Sequence, residues 1–487
     1  MRTDETPPTV PAIGGTPHNL SPFAADFRTL TISMVALLGL SASESLAVAT
    51  AMPTVATALG GMALYATAFG GPLASGVIGM TLAGSWADRR GPSAPLLIGV
   101  GLFIVGLLVS GLAPVMLVLV AGRIIQGIGS GMLIVALYVV VARVFPADVR
   151  PRVVAAFAAA WVVPGIVGPW IAGVVVEQLG WRWVFLGVPL LAVPALLTLR
   201  PALAGIAAHA APTQTPDGNV GRRPSRARTA GWGLVLSVLA AAGVLALHHG
   251  GQQRGITLVP WVAGGVVALA LSLPSLLPAG TLRSRRGLPA AVGLRGLLGA
   301  AYFGTEVFVP LLLTTHRGLS PSMAGAFLTA TAVAWASGSA LRGRATGWSD
   351  TALLRVGAAS TTVGIVTAGL MVAPSFQLVA AFAGWCFAGF GMGVAIPTLS
   401  LVTLRLSAPD EQGANSSSLQ VVDAVTSAAM LALSGALFTA LGGPARAGAF
   451  WTCFAVTAAT GILALTLASR TTPSRSCGAG DKAVIAI

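Results

Sequence analysis

Gly84-Ser85-Trp86-Ala87-Asp88-Arg89-Arg90-Gly91 stands between two apolar runs, Leu64 to Ser85 and Ala94 to Ala113. One acid, two arginines and a glycine are thereby confined to a turn between two long apolar segments. A helix rises about 1.5 Å per residue, so about 20 apolar residues cross roughly 30 Å of hydrocarbon. Each run meets that length, and the stretch reads as the charged turn of a membrane hairpin. The rest of the chain repeats the alternation.

Composition agrees. The chain has 487 residues, 55% hydrophobic and only 9% charged, with a mean hydropathy of +0.85. An ordinary soluble domain is about 25% charged, and so little charge cannot cover the surface of a water-soluble globule of this size. Helices satisfy their own backbone hydrogen bonds in lipid. The fold class is therefore an all-α polytopic membrane protein. The net charge of +14 lies in short groups between apolar runs, with no extended basic face, which argues against a nucleic-acid partner. Cys386, Cys453 and Cys477 lack metal-ligand or disulfide-framework spacing. His248 and His249 fall in an expected outer loop with no acid or cysteine beside them. No metal or cofactor is expected, and no phosphate-cradling or enzymatic motif is present.

Apolar helices are expected near 29–52, 63–85, 94–113, 115–141, 151–176, 183–203, 229–247, 256–278, 289–315, 321–341, 350–373, 377–404, 413–442 and 447–469, fourteen spans in all. Outside the helices, only Arg182, Arg254, Arg317 and Arg446 would face the side opposite the amino terminus. Arg123, Arg295 and Arg355 lie within helices or at their edges, and the remaining basic residues share the side of the amino terminus. The positive-inside rule then makes both termini cytoplasmic. The expected organisation is a tail at 1–28, a six-helix bundle at 29–203, a linker at 204–228 and an extra helix pair at 229–278. A connector at 279–288, a second six-helix bundle at 289–469 and a tail at 470–487 complete it.

Three further motifs carry a family resemblance. Arg123-Ile124-Ile125-Gln126-Gly127-Ile128-Gly129 lies in the fourth apolar run. Pro164-Gly165-Ile166-Val167-Gly168-Pro169-Trp170-Ile171-Ala172-Gly173 lies in the fifth, and Gly180-Trp181-Arg182-Trp183-Val184-Phe185 follows it. With Gly84, Asp88, Arg89 and Gly91, these resemble the motifs of the major facilitator superfamily, in its fourteen-helix drug:proton antiporter branch. The resemblance covers essentially the whole chain. It departs where Pro92 and Ser93 replace basic residues, where Ala172 replaces a glycine, and where Pro164 stands at another usual glycine. The resemblance implies a 6+2+6 major facilitator fold, two bundles rocking about a central site, and a peripheral extra pair without transport residues. It also gives the Asp88 loop a gating role, Arg123 a part in proton coupling, and the bent helix with Pro164, Gly168, Pro169 and Gly173 an association with export. A purely structural charge at Arg123 and a kink without bearing on direction are the alternatives.

Three acids fall well inside apolar runs: Glu44 in the first, Glu306 in the ninth and Asp423 in the thirteenth. Intramembrane acids mark transport or proton pathways more often than not. Low dielectric favours the neutral carboxyl group, whereas a cation bound beside it favours the ionised form. Competition for one acid thus couples a proton to a cation without covalent chemistry. The alternative is structural: an acid paired with Arg123 or Arg295, or bonded to a carbonyl. Glu44 and Glu306 are expected as a pseudo-symmetric pair, and Glu44 and Asp423 on opposite cavity walls. Arg295, about three helical turns from Glu306, is expected at the inner interface. Gln126, Tyr302, Trp385 and Gln420 are candidate cavity residues, with aromatic faces suited to lipophilic cations.

The resulting expectation is a monomeric transporter of the bacterial cell membrane, in contact with lipid. It would export small hydrophobic or amphiphilic compounds such as drugs or antibiotics, with protons as the coupling ion. A transporter of one narrow endogenous substrate and a non-transporting membrane sensor are the competing readings.

Overall fold

The computed structural model describes residues 25–146, 149–209, 226–253, 255–344, 347–408 and 411–472. Among them are α-helices and short 3-10 turns, and no strand. The first six helices are α1 (Ala25–Ala58), α2 (Tyr65–Arg90), α3 (Ser93–Gly111), α4 (Met116–Val144), α5 (Arg150–Gln178) and α6 (Arg182–His209). An inserted pair follows, α7 (Arg226–Gly250) and α8 (Leu258–Leu276). The second set comprises α9 (Leu288–Glu306), α10 (Phe308–Thr315), α11 (Pro321–Arg344), α12 (Asp350–Leu370), α13 (Leu378–Leu406), α14 (Gln412–Ala440) and α15 (Ala447–Leu467). Thirteen spans, one of them α9 and α10 together, are long and apolar enough to cross a membrane among the described residues. With 29 residues, α5 reaches about 44 Å and is the fourteenth by length.

The first six helices pack among themselves, α1 along α5 and α6, α2 along α4, and α3 against α4 and α6. The second set does likewise, with α9 against α14 and α15, α11 against α13, and α12 against α13 and α15. Missing side chains permit the closest crossings. A Cβ at Gly127 on α4 would press into Pro72 and Ser75 of α2, and one at Gly99 on α3 would lie 3.1 Å from the Gly129 carbonyl oxygen on α4. Small residues let backbones approach where lipid supplies no hydrophobic drive between helices.

Several expectations change. The Asp88 stretch is not a turn: α2 continues through Arg90, and the reversal is confined to Gly91 and Pro92. Gly91 adopts a φ of 85°, a backbone conformation that glycine reaches without a Cβ penalty. The side chains of Asp88 and Arg89 lie outside the described residues, as do most of the expected linker, nearly all of the amino-terminal tail and 473–487. The ninth span is interrupted at Val307. His248 is not in a loop; α7 extends to Gly250 and buries it. Nor is α7 peripheral, for it runs along both α2 and α14, while α8 leans mainly on α7.

Because α2 begins at Tyr65 and ends beyond Asp88, these residues name the two ends of the molecule, the Tyr65 end and the Asp88 end. The contacts joining the six-helix sets are concentrated at the former. A Cβ at Gly173 on α5 would fall 2.7 Å from the Pro321 carbonyl oxygen at the start of α11. One at Gly325 would fall 2.7 Å from the Pro169 carbonyl carbon. The Ser322 N–H donates to Glu177 Oε1 at 2.8 Å.

Candidate functional site

The three intramembrane acids have different surroundings. Glu44 on α1 is 0% exposed, and Arg123 and Gln126 on α4 are nearly as buried. Three residues apart on a helix, the latter two share a face. Arg123 Nη1 donates to Glu44 Oε1 and, at 2.6 Å, to Gln126 Oε1. Gln126 Nε2 donates to Glu44 Oε2 at 2.6 Å, and Arg123 Nε to the Ala68 carbonyl of α2 at 3.2 Å. Both carboxylate oxygens are bonded and the charge is balanced. This cluster ties α1, α2 and α4 together.

Asp423 on α14 is paired too. Its Oδ2 lies 2.8 Å from Arg295 Nη2 on α9, both side chains being only slightly exposed. Gly299 makes the space, since a Cβ there would run into the Asp423 carboxylate. Arg295 is thus a partner inside the second set of helices rather than an interfacial charge. Gln420, one turn earlier on α14, is exposed.

Glu306 is different. Among the described residues it has no ion-pair partner, and its bond is with Tyr302, whose Oη donates to Glu306 Oε1 at 3.2 Å. Tyr302 stacks on Trp385 of α13, with ring centres 5.4 Å apart and planes 8° from parallel. Trp335 of α11 meets the same tyrosine edge-on at 5.4 Å, and Phe303 does so at 5.3 Å. Four aromatic rings from three helices therefore cluster at Tyr302, the hydrogen-bond partner of this carboxyl group. Among the described residues, three or more His, Cys, Asp and Glu side chains nowhere cluster so as to hold a metal ion.

Sequence chemistry explains why the helix breaks at this place. Pro310 has no N–H to return to the carbonyl four residues back, which belongs to Glu306, and its ring crowds that carbonyl. The break consequently falls at Val307, beside the acid. Glu44 is the twentieth residue of α1 and Glu306 the nineteenth of α9. The first helix of each set thus carries an acid at nearly the same depth.

The family model described as Major Facilitator Superfamily matches residues 31–343. The chain belongs to the major facilitator superfamily.

Among relatives of this superfamily member is a protein named "Probable multidrug-efflux transporter" from Mycobacterium tuberculosis. It is 29% identical over 434 residues, covering 85% of this chain and 88% of the relative. Another is "Multidrug transporter protein MdtP" of Bacillus subtilis, 24% identical over 442 residues, covering 85% of this chain and 76% of the relative. Solved structures agree in fold. The xylose transporter XylE from E. coli superposes with a TM-score of 0.60 at 15% identity, over 91% of this chain and 98% of that one. A peptide transporter of the POT family does so with a TM-score of 0.64 at 14% identity, over 93% and 97%. The protein is a multi-pass membrane transporter of this superfamily.

Of the expected site residues, Glu44, Arg123 and Gln126 form one cluster and Tyr302, Trp385 and Glu306 another. Gly173 and Pro169 lie at the contact between α5 and α11, and Pro164 is buried within α5, which stays helical through both prolines. Gly168 faces open space, and a methyl group placed on Gly84 would likewise meet nothing within 4 Å. Sequence reasoning misses Trp335 and Glu177, whose partners lie on other helices. It also misses the tie of Thr67 to the inserted pair, where Gln252 Nε2 donates to Thr67 Oγ1 at 3.3 Å.

Proposed function

We propose that this transporter exports small hydrophobic or amphiphilic compounds, including lipophilic cations, in exchange for protons, and that Glu306 is the group for which the two compete. The observation carrying this reading is the contrast among the acids. Glu44 and Asp423 each hold an arginine, whereas Glu306 is bonded to a neutral tyrosine within an aromatic enclosure. An acid without a fixed counter-charge in low dielectric is most stable when protonated. A cation entering the enclosure supplies the missing charge, gains the faces of Tyr302 and Trp385, and favours release of the proton.

The paired acids are assigned to architecture. The Glu44–Arg123–Gln126 cluster keeps α1, α2 and α4 in register while the first bundle moves as a unit. Arg295 and Asp423 do the same between α9 and α14. In alternating access, rigid-body rocking then exposes the Glu306 enclosure to one side at a time. The multidrug-efflux names of relatives support the breadth of substrate and the outward direction.

The test uses purified protein in liposomes, with tetraphenylphosphonium as probe and an imposed proton gradient. Wild type is expected to accumulate the probe against its gradient in the more acidic compartment, as protons leave that compartment in exchange. Glu306→Gln is expected to lose gradient-driven accumulation. Equal proton-driven accumulation by Glu306→Gln and wild type would remove Glu306 from the mechanism.

A further inference from the structure

Tyr65 opens α2, in the first bundle, and is 1% exposed. Its hydroxyl donates to the carbonyl oxygen of Val307, in the second bundle, at 2.7 Å. The ring is held by Phe69 of its own helix, 5.4 Å away between centres, and by Phe308 across the boundary, at 6.0 Å. Phe308 continues the apolar contact to Phe438 of α14, and Phe438 to Phe450 of α15. The hydroxyl is therefore a polar bond between bundles inside an aromatic seal.

The receptor of that bond follows from the sequence. Pro310 interrupts the ninth span at Val307, where α9 gives way to α10. The carbonyl that Pro310 leaves without a helical donor is that of Glu306; Val307 lies at the break itself, where the distorted backbone accepts a bond from outside the helix. The accepting residue directly follows Glu306.

We propose that Tyr65 is the latch of the Tyr65 end and a positioning residue for the Glu306 segment. Its bond to Val307 forms when the bundles meet at that end and breaks when they part. Since Val307 adjoins the acid, opening the latch shifts the backbone carrying Glu306, and a cation or proton at Glu306 biases the latch in return. Such coupling is reciprocal. The inference rests on the alternating-access reading given above, and its test separates the two.

Spin labels at Leu179 and Met323, both exposed and near the Gly173–Ser322 contact, report the distance across the Tyr65 end in lipid nanodiscs. Tyr65→Phe removes the hydroxyl and leaves the ring. One net hydrogen bond is worth enough to lower the closed-to-open ratio about five-fold. Pro310→Ala restores an N–H donor for the Glu306 carbonyl, straightens the backbone through Val307 and is expected to lower the ratio similarly. Because both substitutions break one bond, the double variant should match either single variant rather than their product. An unchanged ratio in a folded Tyr65→Phe protein, or multiplicative effects in the double variant, would overturn the latch. If the single variants shift the ratio and the double variant matches them, while tetraphenylphosphonium and pH leave the wild-type ratio unchanged, the latch stands and the proposed coupling fails.

Discussion

Replacing Gly173 by alanine adds one methyl group at a close crossing of α5 and α11. The position meets backbone: the added carbon would fall 2.7 Å from both the Pro321 carbonyl oxygen and the Ser322 amide nitrogen. No rotamer change relieves such an overlap, so the helices must separate. Overpacking of this kind costs about 1–3 kcal/mol. The cost arises only in the state where the bundles touch at the Tyr65 end, so it should appear as a conformational shift. It corresponds to a fall of about 5- to 150-fold in the closed-to-open ratio. Labels at Leu179 and Met323 measure this directly as loss of the short-distance population. Gly168→Ala, with nothing within 4 Å of the added carbon, is the control and should leave the ratio near wild type. An unchanged ratio in a stable Gly173→Ala protein would refute the claim that this crossing closes the Tyr65 end.

Other outcomes follow from the same geometry. Arg123→Ala strips a buried carboxylate of its partner and should destabilise the protein by about 3–5 kcal/mol, read as a lowered unfolding temperature in detergent. The double replacement Glu44→Leu with Arg123→Met should recover much of that loss, because a well-packed apolar pair removes the unpaired charge. Trp385→Leu should weaken tetraphenylphosphonium binding about two- to thirty-fold by removing an aromatic face worth about 0.5–2 kcal/mol to a cation, measured by equilibrium dialysis; unchanged affinity would place the probe elsewhere. Gly299→Val should separate α9 from α14 by driving a side chain into the Asp423 carboxylate, with loss of stability exceeding that of Gly343→Val at a position with no neighbour within 4 Å.

The spans are legible in the sequence because each is a long apolar run bounded by charge or glycine, a local property of the chain. Fourteen emerge, with boundaries that differ from the structure by up to six residues, at the ends of α1 and α6. The last turn of α2 reads as a loop because charge marks the end of an apolar run, although arginine and aspartate can continue a helix past the hydrocarbon. The same effect misplaces His248 at the end of α7, where two or three residues decide between loop and buried face. The interruption at Val307 has a local cause, Pro310, whose effect falls four residues upstream on the carbonyl of the acid.

The site is less legible because its defining contacts are tertiary. Glu44 and Arg123 are 79 residues apart in the chain, and Arg295 and Asp423 are 128 apart. Spacing within one helix shows that Arg123 and Gln126 share a face, but not which helix that face meets. For Arg295, distance from Glu306 along α9 is the wrong guide, since its partner comes from α14. The acids resemble one another in sequence and diverge only when their neighbours are in place.

Proton release on cation binding tests the central claim most directly. Tetraphenylphosphonium is added to purified protein in weakly buffered detergent, and the change in proton concentration is recorded for wild type, Glu306→Gln and Glu44→Gln. The account predicts release by wild type, none by Glu306→Gln, and retained release by a folded Glu44→Gln protein. Release that persists in Glu306→Gln and vanishes in Glu44→Gln would contradict it and move proton coupling to the arginine-paired acid.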